Sequence, residues 1–257
     1  MWGDYMTKNE MMQIVYQQLA VDYNCNPEDF LSDEIVFTVA KQNKGRRAVP
    51  FIEPRLEIVT FGRGLVVNCS SNIMDYVKKQ FQNKSKIQII NSSLIKSFNP
   101  YYLPDLDNFK NLTNINDEYE YRIIEKNEIR DFYHIEGMHN ALQYDSNSER
   151  PEILGITVYK DNILAGIACA SKDCSTMWQI GVDVLPEYRG QGLAVHLVNV
   201  LSSECLRRDI IPYYTTDIGN INSQKVAIKS GFYPAWSHCF RTRVKNNILT
   251  KTILSKI

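Results

Sequence analysis

Histidine is scarce in this sequence, with four in 257 residues, and the six cysteines (Cys25, Cys69, Cys169, Cys174, Cys205 and Cys239) form no C-x-x-C pair. The spacing signatures of zinc and dithiol redox centres are therefore missing, and no metal site is expected. His134 and His139 stand five apart across Gly137, which makes no ligating pair. Neither sign of charge is in excess: Lys plus Arg and Asp plus Glu each number 29. A nucleic-acid partner is not expected, because phosphate binding calls for a basic surplus or stripe. The one short basic cluster, Lys41, Lys44, Arg46 and Arg47, reads as a solvated loop around Gly45. Long apolar runs are missing too. The longest, Ile163 to Ala170, falls far short of a membrane span. No charged segment followed by an apolar stretch opens the chain, so no signal peptide is suggested, and the expectation is a cytoplasmic protein with reduced thiols.

What is present suits a folded protein with a sizeable core: 44% hydrophobic and 23% charged residues. Helical spacing of Met12, Val15, Tyr16 and Leu19 predicts a helix over Asn9–Leu19. Strands are predicted at Ile35–Val39, Leu56–Thr60, Leu65–Val67 and Ile87–Ile90, with a helix from Asn72 to Phe81 behind an N-cap at Ser70 or Ser71. From Asn99 to Glu118 the composition turns to Asn, Asp, Pro and Tyr, which marks the best linker candidate. Two domains are expected, residues 1–115 and 116–257.

The second half has the clearer order. A strand at Tyr119–Glu125 precedes a broken helical stretch over Glu128–Leu142. Strands Ile153–Tyr159 and Ile163–Ala170 flank the turn at Lys160-Asp161-Asn162, which is a hairpin signal. Then come a strand at Met177–Val184, a helix from Gly190 to Arg208, a strand at Pro212–Thr216, a helix at Ser223–Ser230 and a last strand from Phe232. The plan is α/β (α+β), a mixed central sheet with flanking helices behind a smaller mixed α/β N-terminal domain.

The segment from Val182 to Ala194 joins a buried strand to an amphipathic helix, and Gly190 and Gly192 lie in its turn. Glycines there leave backbone N–H groups uncovered at a helix N-terminus, where free donors and the helix dipole favour an anion. Arg189 adds a cation, and a pyrophosphate would suit. A bare strand-to-helix turn without ligand is the competing reading. The segment is no P-loop, because no Lys-Ser/Thr follows the glycines, and no dinucleotide fingerprint, because Val195 stands where a third glycine is needed.

Arg189-Gly190-Gln191-Gly192-Leu193-Ala194 resembles the R/Q-x-x-G-x-G/A signature of the GNAT superfamily of N-acetyltransferases. Val184, Pro186, Tyr188 and Arg189 fit the run before it. Asn220, Ser223 and Ser230-Gly231-Phe232 resemble the family's second motif, an Asn-led helix ending in Gly-Phe. The likeness covers about Tyr119 to Ile257. Over the whole chain, with Ser230 to Trp236 included, it is similar to a bacterial subfamily that includes zwittermicin-resistance acetyltransferases.

The resemblance implies transfer of an acetyl group from acetyl-CoA to a primary amine of a small molecule, by direct attack in a ternary complex. Residues 1–115 would then cover one side of the acceptor groove. The implied cofactor-binding residues are Val182, Val184, Arg189, Gly190, Gln191, Gly192, Leu193, Ala194, Asn220 and Ser223. The backbone N–H of Val184 would face the developing oxyanion. The family's usual strand carboxylate falls near Trp178, which cannot serve. Asp183 is the nearest carboxylate, either a base or a turn support. The family's usual tyrosine, seven residues beyond Asn220, is Ala227. Ser223 stands near enough to reach the cofactor sulfur, or is simply a helix-start residue. Tyr213, Tyr214 and Tyr233 are read as core, and Lys225 and Lys229 as a solvated helix face. A non-catalytic acyl-CoA sensor and an acetyltransferase of protein amines are the alternatives, and the oligomeric state is open.

Overall fold

The computed structural model describes residues 6–95, 97–112 and 118–241. In chain order it contains α1 (Lys8–Tyr23), β1 (Ile35–Val39), β2 (Leu56–Phe61), β3 (Gly64–Cys69), α2 (Met74–Phe81), α3 (Lys86–Ile90), β4 (Ser97–Pro104), β5 (Glu120–Glu125), α4 (Lys126–Ile129), β6 (Glu152–Lys160), β7 (Ile163–Lys172), β8 (Met177–Val184), α5 (Leu193–Leu206), β9 (Ile211–Thr215), α6 (Ile221–Lys229) and β10 (Phe232–Arg241). The fold is mixed α/β. Its residues fall into two compact units: those up to Ile14 with Tyr101–Pro234, and Val15–Pro100 with those from Ala235 on.

In the second of these units the strand order is β1-β3-β2-β10. β1 runs parallel to β3, and the other neighbours are antiparallel. Alternate residues of β2 and β3, among them Ile58, Leu65 and Val67, bury against Val77 and Phe81 of α2 and Ile89 of α3. The expected strand at Ile87–Ile90 is helical instead. Ser85 Oγ accepts from the Gln88 N–H while Gln88 Oε1 accepts from the Ser85 N–H, a capping box that outweighs a short β-branched run. The basic cluster also differs from expectation. Arg47 is buried with Nε 2.5 Å from Asp22 Oδ2, and the Arg46 guanidinium lies 5.2 Å from the Phe51 ring centroid. Arginine stems and planar heads can be covered in this way.

In the unit that holds Tyr101–Pro234 the strand order is β4-β9-β8-β7-β6-β5. Only β8 and β9 pair in parallel; the rest are antiparallel. α5 lays Leu193, Leu197, Leu201 and Cys205 on one face, against Leu154, Ile156, Ala168 and Ile180. The 129–142 segment covers the other face with Ile129, Met138 and Leu142 over Ile124, Ile167 and Cys169. The expected linker over Asn99–Glu118 begins as strand: Tyr101 and Tyr102 pair with Thr215 and Tyr214 of β9, and Tyr102 and Leu103 are buried. Aromatic side chains suit a half-buried pleat; Pro104 ends the strand, and Pro100 stands just before the paired residues. Residues 113–117 of that stretch lie outside the described residues.

Candidate active site

β8 and β9 pair from Met177↔Ile211 to Ile180↔Tyr214, and there the pairing stops, although β8 continues to Val184. The two parallel strands part below Ile180. Leu185 donates its N–H to Ala165 O at 2.9 Å, on the β7 side. Backbone direction alternates along a strand, so the N–H and C=O groups of Val184 and Val182 point away from β7, into the opening. A cavity of about 900 Å³ occupies this region. It reaches from the end of β8 past the start of α5 to α6, and Val182, Asp183 and Val184 all line it.

The turn after β8 is shaped by φ. Gly190 has φ 80° and Gly192 φ 85°, a region that side-chain-bearing residues avoid, and Gly192 is the N-cap of α5. The first bond of the helix runs from the His196 N–H to Gly192 O at 3.2 Å. The N–H groups of Leu193, Ala194 and Val195 precede it and have no intrahelical acceptor. All three residues line the cavity, as do Arg189, Gly190 and Gly192. Arg189 Nε donates to Val184 O at 2.9 Å, which ties the turn back to the strand. Lys225 and Lys229, expected on a solvated face, also border the cavity. Gln191 does not: its Oε1 accepts from Tyr119 OH at 2.5 Å. Its side chain braces the turn from outside.

α6 starts at the same cavity. Asn220 is its N-cap, with Oδ1 accepting from the Ser223 N–H at 3.1 Å. Ser223 Oγ lies 2.8 Å from Tyr214 OH, and both residues line the cavity. Tyr214 sits where β8 and β9 part. Burial pushes its phenol up from the ordinary value near 10, and the Ser223 hydrogen bond opposes this only in part. It therefore stays protonated. The sequence assigns Tyr214 to core packing, and the structure adds this contact with Ser223. Tyr213 is buried elsewhere, with its OH on Asp173.

Asp183 points to the opposite face of β8. Its carboxylate accepts from the Asn140 N–H at 2.8 Å, Asn140 Nδ2 at 2.6 Å and the Ala141 N–H at 2.9 Å. These bonds fasten the 138–142 loop to the strand. The loop comes so close that a Cβ on Gly181 would lie 1.8 Å from Asn140 O. His139 and Asn140 line the cavity from this side. Trp178, at the expected carboxylate register, is core. Among the described residues no group of three or more His, Cys, Asp or Glu is placed to hold a metal, and no helix is long and apolar enough to cross a membrane.

The family model described as GNAT acetyltransferase matches residues 17–237. The chain belongs to the GNAT acetyltransferase family. No curated protein matches it. Among solved structures, it is similar to a GCN5-related N-acetyltransferase-like protein from Streptococcus suis 89/1591, with 16% identity, 91% of this chain and 100% of that one covered, and a TM-score of 0.48. A GNAT-family acetyltransferase from Novosphingobium aromaticivorans DSM 12444 shares 16% identity over 58% of this chain and 66% of its own, with a TM-score of 0.44. One from Colwellia psychrerythraea shares 20% identity over 60% and 59%, also at 0.44. This GNAT protein thus spans all of the first of these and about three fifths to two thirds of the other two. The family uses acetyl-CoA. The cradle of open amides with Arg189 and Lys225 beside it fits a diphosphate, and the parted β8 edge fits an arm carrying amides.

Proposed function

We propose that this GNAT protein transfers the acetyl group of acetyl-CoA to a primary amine of a small molecule, both substrates being bound together. The observation that carries this reading is one cavity that joins the free amides of α5 to the unpaired edge of β8. The N–H groups of Leu193, Ala194 and Val195 hold the phosphates, with Arg189, Lys225 and Lys229 supplying positive charge. Gly190 and Gly192 keep that surface bare. The N–H groups of Val182 and Val184 hold the arm. Arg189 engages only the carbonyl of Val184, so the Val184 N–H stays open as the donor for the oxyanion. Asn220 starts α6 and so sets Ser223 against Tyr214.

The thioester supplies an activated acyl carbon and a thiolate leaving group with a pKa near 8.5. Tyr214, protonated and held by Ser223, donates a hydrogen bond or its proton to that sulfur. Asp183 is a positioning residue: with its oxygens engaged by Asn140 and Ala141, it holds the acceptor-side loop in place. The acceptor in this reading is a small amine such as an amino acid, a polyamine or an antibiotic. Titration calorimetry with acetyl-CoA, followed by thiol release over an amine panel, tests the reading. Binding with amine-dependent thiol release is expected. Binding with no release for any amine would replace it with an acyl-CoA sensor.

A further inference from the structure

Beside Asp183, the acceptor face of β8 presents one more polar side chain to the cavity, Gln179. Its carboxamide is held in one orientation. Arg150 Nη2 donates to Gln179 Oε1 at 2.9 Å, and a guanidinium has no acceptor to offer an amide nitrogen. Arg150 is itself fixed, with Nε on Asp173 Oδ1 at 2.7 Å and Nη2 3.2 Å from Ser171 Oγ. Asp173 is fully buried and also accepts from Tyr213 OH. The oxygen end of Gln179 is thus committed to this network. The nitrogen end makes no hydrogen bond among the described residues, and it is not among the buried polar atoms that lack a partner. It is a donor open to the cavity.

Resting on the acetyltransferase reading above, we infer that Gln179 Nε2 binds a carbonyl or carboxylate oxygen of the acceptor, so that the substrate class is amines bearing such an oxygen beside the amino group. Gln179 pairs with Tyr213 one step before the last paired residues, Ile180 and Tyr214, so it flanks the point where the two strands part. An oxygen held there orients the neighbouring amine toward the acyl end of the arm. Selectivity arises because an alkylamine without the oxygen leaves the Gln179 donor unmatched, and polar mismatches of this kind discriminate more strongly than missing methylenes do. Arg150 acts as a positioning residue, since it decides which end of the carboxamide faces the substrate.

The test compares free amino acids, their amides and alkylamines of matched length, by kcat/KM where turnover is measurable and otherwise by Kd against CoA-loaded protein. The wild-type protein is expected to favour the oxygen-bearing amines about tenfold or more. Acids and amides separate a carboxylate from a neutral carbonyl as the preferred oxygen. Gln179→Leu should erase the preference through KM, with the alkylamines and the acetyl-CoA Kd within about twofold of wild type. Gln179→Glu keeps an oxygen for Arg150, and so keeps the fold, but turns the donor into an acceptor; it should push the ratio below one. Arg150→Met should weaken the preference with Gln179 intact. A wild-type ratio near one, or a ratio unmoved in Gln179→Glu, overturns the inference. Absent heat of acetyl-CoA binding would instead remove the acetyltransferase reading beneath it, which separates the two failures.

Discussion

At Gly190 and Gly192 an added Cβ would meet nothing within 4 Å. Packing is therefore not what calls for glycine there; backbone angle and bare amides are. Gly192→Val should cost about 1–2 kcal/mol for its left-handed φ, a fall of a few degrees in Tm. It should weaken acetyl-CoA binding at least about tenfold, because the side chain stands over the anion cradle. Calorimetry beside thermal melts checks this, and unchanged affinity with a lower Tm would make the turn merely structural. Tyr214→Phe keeps the ring that packs 6.5 Å from Phe232 and loses the hydroxyl at Ser223. Its kcat should fall about ten- to a hundredfold with the acetyl-CoA KM within about threefold. An unaltered kcat would leave the leaving thiolate unaided. The glycines were legible in sequence, since their spacing is local. Tyr214 and Gln179 were not, because what singles them out is the parting of two strands more than thirty residues apart in the chain.

Elements carry their own tests. Asn220 caps α6 through the Ser223 N–H, so Asn220→Ala should cost about 1 kcal/mol and loosen Ser223 from Tyr214. Its Tm should drop by about 2–4 °C together with a lower kcat; a lower Tm with intact kcat would make the cap a matter of stability only. Gly181→Ala tests the loop clamp. Its Cβ would collide with Asn140 O, and the neighbour is backbone, so the 138–142 loop must retreat from Asp183. A loss of about 1–3 kcal/mol is expected in urea unfolding, with a raised amine KM and an unchanged acetyl-CoA Kd. A wild-type unfolding midpoint would show that the loop gives way freely. Most strand and helix positions were readable from period and turn residues. α3 and β4 were not: α3 turns on a reciprocal cap at Ser85 and Gln88, and β4 on finding β9 as a partner for an aromatic pair.

For the molecule as a whole, two buried groups contribute to its response to acid. Burial within α5, beside the Tyr121 ring at 4.6 Å, lowers His196 to about 4 from 6.5. The unfolded chain then binds more protons than the folded one between those values, so stability falls as pH drops from 6.5 to about 4, by at most about 1.4 kcal/mol per pH unit. Glu57 extends the loss. Burial alone would raise it, but His238, with Nε2 3.4 Å from Oε1, and the Arg55 guanidinium overcome that and hold it at about 2. Its contribution is present above 4.5 and fades as pH falls toward 2. Urea unfolding of the wild type and His196→Gln at pH 7, 5 and 4 should show a flatter slope in the variant above pH 4. Parallel slopes would mean that His196 is not the group responsible.

The sequence by itself determined the mixed α/β plan, the glycine turn and the helix after Asn220, because periodicity and φ act over a few residues. Only the tertiary structure decided that Arg46 and Arg47 turn inward, that Asp183 clamps a loop, that Lys225 borders the cavity and that Gln179 shows its nitrogen to it. Each of these depends on which distant group arrives to satisfy a charge or a hydrogen bond, and that is settled by packing, not by neighbours along the chain.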